Sequence, residues 1–207
     1  MNKSLNYYIK KFEESVLNMK TDARYQQSDA RIQNEFLKLV KTVGFDHITV
    51  SQIVKAAEIN RSTFYAHYID KEDLMEKMQL ATIEEVLSDL PKLSYENLQN
   101  ASVIRQRIIG LCEGLYQRRD IFQLFIGPKS DGKFGFRLTN RAQKEFQNNQ
   151  LDQRITIPAE YVNAMTGSTV INLMVTWMQR NFKETPEEFS EIVGQIAPGI
   201  FKNLLNM

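Results

Sequence analysis

The sequence predicts an all-α fold, and three observations carry that reading. Apolar residues recur every three or four positions along nearly the whole chain, the spacing of helices that bury one face. No stretch alternates apolar and polar residues at period two, as a half-buried strand would. Glycine and proline, the residues that most weaken a helix, number only 9 and 5 of the 207 residues.

Taken in order, Leu5, Tyr8, Ile9, Phe12, Val16 and Leu17 mark an N-terminal amphipathic helix. Ser28 is placed to N-cap a second helix that buries Ile32, Phe36, Leu39, Val40 and Val43 and ends at Gly44. The stretch T-V-S-Q, residues 49–52, reads as a capping box opening a short helix with Ile53, Val54 and Ala57 inward. After the turn A-E-I-N, Asn60 caps a helix over 61–68. Asp70 caps a long helix with Leu74, Met78, Ala81 and Val86, which stops before Pro91.

Residues 91–100 read as a loop. Val103, Ile104, Ile108, Leu111, Cys112 and Leu115 form the stripe of a further helix, and Ile121, Phe122, Leu124 and Phe125 that of another. G-P-K-S-D-G-K-F-G, residues 127–135, reads as a turn-rich, mobile segment, and 134–150 is polar and weakly periodic. Pro158 opens a long apolar helix through Tyr161, Met165, Val170, Ile171, Met174, Val175 and Met178 to Phe182. T-P-E-E, residues 185–188, is a capping box with proline at the first helical position. It opens a last helix with Phe189, Ile192, Val193 and Ile196 inward, broken or kinked near Pro198.

Composition bounds function. Apolar residues make up 43% and charged residues 25%, as in a soluble globular protein. No apolar run reaches the roughly 18 residues of a membrane helix, and the acid-bearing N-terminus lacks a signal-peptide core. Cys112 is the only cysteine, which fits a reducing cytoplasm and a buried thiol. Two histidines, one cysteine and scattered acids form no triad, phosphate loop or metal cluster, so catalysis, a cofactor and a metal are not expected. The net charge is +1, and residues 20–75 carry eight basic and eight acidic side chains. Nucleic-acid binding then needs a local basic face rather than a global field.

Residues 60–71 supply such a face. Phe64 and Tyr68 lie four apart, on the side of the preceding apolar stripes. The other side presents Arg61, Ser62, Thr63, Tyr65 and His67, none of them acidic. Two short helices joined by a tight turn and preceded by a third make a helix-turn-helix, whose second helix enters the DNA major groove. Arginine forks onto guanine, a threonine methyl meets a thymine methyl, and hydroxyls bond phosphate or base. Lys71 adds a phosphate contact at a helix start, as do Thr49 and Ser51 at theirs. A solvated face is the bland alternative, to which Ser51 and Ser62 are most open, while His67 also reads as a histidine that caps or packs within the fold.

The stretch I-T-V-S-Q-I-V-K-A-A-E-I-N-R-S-T-F-Y-A-H-Y-I-D-K-E-D-L, residues 48–74, resembles the DNA-binding motif of the tetracycline-repressor (TetR) family. T-D-A-R-Y-Q-Q-S, residues 21–28, extends the resemblance back from it. The resemblance implies DNA contacts at Thr49, Ser51, Arg61, Ser62, Thr63, Tyr65, His67 and Lys71. Tyr68 departs from the commoner phenylalanine, and about 20 residues precede the usual start. Residues 161–177 with the following T-P-E-E-F are similar to the C-terminal domain of a subgroup that includes an activator of dihydroxyacetone utilisation.

The resulting expectation is an N-terminal extension over 1–20, a DNA-binding domain over 21–75 and a regulatory, dimerising domain over 76–207. The resemblance implies a homodimer on double-stranded, palindromic operator DNA, more readily a repressor than an activator, with no membrane partner. It also implies control by a small-molecule effector or a partner protein, with Cys112, Tyr116, Phe122, Phe125 and Trp177 as candidate ligand-lining residues, each of which also reads as core. The rival reading is a protein-interaction coregulator on the same fold, with DNA binding secondary.

Overall fold

The computed structural model describes the backbone of residues 3–149, 151 and 168–204, and side chains within 23–149, 151 and 169–196. Among the described residues there are ten α-helices and no strand. They are α1 (Lys3–Thr42), α2 (Val50–Ala56), α3 (Arg61–His67), α4 (Lys71–Leu87), α5 (Tyr95–Gln99), α6 (Ala101–Gln117), α7 (Arg119–Ile126), α8 (Phe134–Asn148), α9 (Ser168–Gln179) and α10 (Pro186–Leu204). The chain divides into two compact units, Met1–Leu74 and Met75–Met207.

The first unit corrects one expectation. Residues 3–42 form a single helix, not two. No glycine or proline lies between residues 3 and 42, so nothing there interrupts the hydrogen-bond ladder. Ser28 is therefore inside the helix, where its hydroxyl donates to the Tyr25 carbonyl (2.9 Å) instead of capping. Gly44, at φ 89°, ends the helix in a backbone region that only glycine enters freely. Ile32, Phe36 and Val40 of α1 are fully buried, as are Ile53, Phe64 and Leu74. Truncating a buried phenylalanine such as Phe36 costs about 3–5 kcal/mol.

The second unit packs around aromatic rings. Trp177 stacks on Phe189 at 4.3 Å and meets Phe182 edge-on at 4.8 Å. Its indole N–H donates to the Glu184 carbonyl (3.0 Å), which satisfies the one polar group such burial strands. Phe122, Phe125 and Phe134 form a second aromatic cluster. At Gly114 a Cβ would lie 2.8 Å from Val86 Cγ1, so α6 passes α4 at glycine distance.

Several boundaries differ from the sequence reading. The 91–100 stretch contains α5, capped by Ser94, whose hydroxyl accepts from the Asn97 N–H (3.2 Å). α9 stops at Gln179, because Asn181 and Phe182 turn left-handed at φ 61° and 51° and buried Phe182 folds back against Trp177. α10 runs through Pro198 unbroken. The 127–133 turn is fastened by a buried ion pair between Asp131 and Arg137, and Arg137 also donates to Gln79 Oε1 (2.7 Å). The expected helix start at Pro158, with Tyr161 and Met165, lies outside the described residues.

Candidate nucleic-acid interface

Two caps fix the start of α2 and α3. Thr49 and Gln52 form the reciprocal capping box: Gln52 N–H donates to Thr49 Oγ1 (3.3 Å) and Thr49 N–H to Gln52 Oε1 (2.7 Å). At α3, Asn60 Oδ1 accepts from the Thr63 N–H (2.7 Å), the Thr63 hydroxyl (2.8 Å) and the Ser62 hydroxyl (2.7 Å). Between the two helices, Arg61 Nη2 donates to Ser51 Oγ (2.7 Å). Phe64 and Tyr68 are buried and hold α3 in place, while Tyr65 is 55% exposed on the outer side.

Six of the eight predicted contact residues gather on or beside this outer face. Thr49, Ser51, Arg61, Ser62 and Tyr65 are exposed and Thr63 is half-buried. His67 does not join them. Its side chain is buried against α1, with Nε2 2.8 Å from Ser28 Oγ and Nδ1 3.5 Å from Asp29 Oδ1, under the Tyr25 ring at 3.8 Å. The three-residue spacing from Phe64 puts His67 on the core side of the helix, next to Tyr68. Lys71 is half-buried, donating to the carbonyls of Phe45 (2.9 Å) and Asp46 (3.3 Å) with its ammonium over the Phe45 ring. It closes the turn before α2.

Behind the face lies a polar cluster that the sequence alone does not reveal. The Tyr68 hydroxyl donates to Asp29 Oδ1 (2.5 Å) and accepts from Gln33 Nε2 (3.1 Å). Burial, and after it the bond to Asp29, push this phenol well above its ordinary range. The cluster joins residues 39 apart in sequence, so no local spacing signals it. Two exposed neighbours also escape sequence reasoning: Tyr25, whose hydroxyl reaches the Ala66 carbonyl (3.5 Å), and Ile69, 77% exposed.

The chemistry of the face follows from these bonds. Arg61 has no carboxylate partner among the described residues, so its charge is available to an anion. Ser51 accepts from Arg61 and keeps its own proton for donation. The Ser62 and Thr63 hydroxyls direct their protons to Asn60, so each presents lone pairs outward.

The second unit contains a cavity of about 210 Å³. Its described lining includes Val86, Ile108, Leu111, Leu138, Ile171 and Met174, all aliphatic or thioether side chains. Arg107 and Arg141 border it, but both are engaged. Arg107 Nη2 donates to Glu145 Oε1 (2.7 Å), and Arg141 Nη2 to Glu84 Oε2 (2.9 Å). The Arg141 guanidinium holds the Glu84 carboxyl below its usual range. None of Cys112, Tyr116, Phe122, Phe125 and Trp177 lines this cavity. Cys112, Phe122, Phe125 and Trp177 are buried in the packed core, and Tyr116 stacks on Trp177 at 6.4 Å and meets Phe182 edge-on at 5.9 Å. Burial pushes the Cys112 thiol up to about 12, so it is a neutral packing group at physiological pH.

A family model described as bacterial regulatory proteins, tetR family, matches residues 37–78. A second, described as transcriptional regulator C-terminal region, matches residues 104–199. The uncharacterized HTH-type transcriptional regulator YxbF of Bacillus subtilis (strain 168) is 32% identical over 77 residues, which is 37% of this chain and 20% of that protein. The chain thus spans about a fifth of the length of that relative. A TetR transcriptional regulator from Streptococcus agalactiae 2603V superposes with a TM-score of 0.62 at 20% identity, over 87% of this chain and 98% of its own. The dihydroxyacetone kinase operon activator DhaS superposes at 0.52 with 15% identity, over 86% and 96%. The capped helix pair bearing Arg61 and Tyr65 falls inside the first matched region and the cavity-bearing helices largely inside the second, and the chain belongs to the TetR family of transcriptional regulators.

Proposed function

We propose that this chain is a cytoplasmic, homodimeric repressor that binds a palindromic operator through α2 and α3 and is controlled by a small molecule. The exposed face of α2 and α3, with Arg61 free of any described carboxylate, is the observation that carries the reading. Residues 21–75 serve DNA binding and residues 76–207 serve dimerisation and control. Arg61, Ser62, Thr63 and Tyr65 address base edges, and Thr49 and Lys71 address phosphates. Exposed Ile192 and Ile196, one turn apart on α10, support a helical dimer face. A dimer sets two recognition helices about 34–36 Å apart for the two halves of a palindrome.

The cavity supports an uncharged, apolar effector. Its arginines are already paired with Glu84 and Glu145, and most of the rest of its wall is hydrocarbon. An apolar cavity of 150 Å³ holds benzene, so this one suits on the order of ten non-hydrogen atoms. The effector acts only if it binds the DNA-competent and incompetent states with different affinity.

The test is binding of the full-length protein to DNA upstream of its own gene, against random competitor at several salt concentrations. The expected outcome is competitor-resistant binding with two chains per site, lost in Tyr65→Ala. Toluene should raise the melting temperature and benzoate should not. Weak binding to every sequence would remove the operator reading. It would favour the coregulator alternative, which Phe136, 69% exposed on α8, supports as an apolar docking point.

A further inference from the structure

The bond between Arg61 and Ser51 crosses from the first residue of α3 to the first turn of α2. Both side chains are exposed, so neither is held there by packing. Arginine has several rotatable bonds, and a flexible arginine loses that freedom when it docks. A guanidinium is planar, so fixing one Nη2 hydrogen on an external acceptor also fixes the plane in which the remaining N–H groups point. The acceptor is itself rigid. Ser51 sits in a helix closed by the Thr49–Gln52 box and pinned by buried Ile53.

We infer that Ser51 is a positioning residue: it pre-orients Arg61 so that its free N–H edge forks onto guanine, and it thereby sets base preference without touching the base. This rests on the reading of α2 and α3 as the DNA-binding face. It differs from a phosphate role for Ser51, because a phosphate contact strengthens binding to every sequence alike. A positioning role acts only where Arg61 has a guanine to meet.

The two roles separate in one experiment. Sites are selected from a randomised duplex library with the full-length protein. Affinities are then measured on the selected site and on versions with each guanine replaced, for wild type, S51A, S51T, R61A and the double variant. Alanine is a good helix former at an exposed position, so S51A folds. Wild type should prefer one guanine by roughly 5- to 100-fold, the range for a bidentate arginine pair. S51A should lose several-fold of that preference while binding the guanine-replaced site as wild type does. S51T, which keeps the hydroxyl, should restore it. In the R61A background the Ser51 change should have no further effect. An S51A loss that is equal on all sequences, with a salt slope reduced by about one, would overturn the inference in favour of a phosphate contact. Full preference retained in S51A would overturn it outright. If wild type enriches no sequence, the DNA-binding reading itself fails and this inference falls with it.

Discussion

Asn60 governs the recognition helix although no sequence motif marks it as more than a cap. Its one carbonyl oxygen closes the end of α3 and takes the protons of two neighbouring hydroxyls. Asn60→Ala should lower stability by about 1–2 kcal/mol, and Asn60→Asp should keep most of it; chemical denaturation of both variants checks this. Residues whose role is set by a neighbour three positions away were legible in the sequence, as Asn60 and Thr49 show. His67 was not. Its partners Ser28 and Asp29 lie nearly 40 residues upstream on another helix, and only the fold reveals that its ring turns inward.

At the scale of elements, the strongest local rules read correctly and the weaker ones did not. Both capping boxes and the Gly44 stop appear as expected, because each satisfies backbone groups that have no other partner. Ser28 misled because a serine flanked by polar residues looks like a cap, whereas an unbroken run of helix formers continues the ladder through it. The turn between α2 and α3 carries a strained residue, Glu58 at φ 52°. A side chain in that region costs about 1–2 kcal/mol, which glycine avoids at a smaller entropic cost. Glu58→Gly should therefore stabilise the protein by about 0.5 kcal/mol, while Glu58→Ala gains nothing; paired melting curves decide it.

For the whole molecule, the cavity shows where sequence reading ends. Its walls come from helices far apart in sequence, and aromatic residues that look suited to a ligand are used instead to pack the interior. Alkaline pH should report on both units. Tyr68 and Cys112 each hold their protons more tightly folded than unfolded, against ordinary values of 10.0 and 9.0. Above those values the unfolded chain binds fewer protons, so stability is full below about pH 9 and falls as pH rises past it. Denaturation midpoints between about pH 8 and pH 11 should decline in wild type. Tyr68→Phe and Cys112→Ala should each flatten that decline, and an unchanged slope in both variants would refute it.

Asn60 also bears on how such a regulator diverges. The lone pairs that Ser62 and Thr63 turn outward are dictated by an amide that receives their protons and has no need to meet the nucleic acid. A lineage that exchanges this one asparagine for glycine keeps every proposed contact side chain, yet lets both hydroxyls reverse from acceptor to donor. Two regulators with identical contact residues can then drift apart in the promoters they occupy, and a comparison of contact residues alone would call them equivalent.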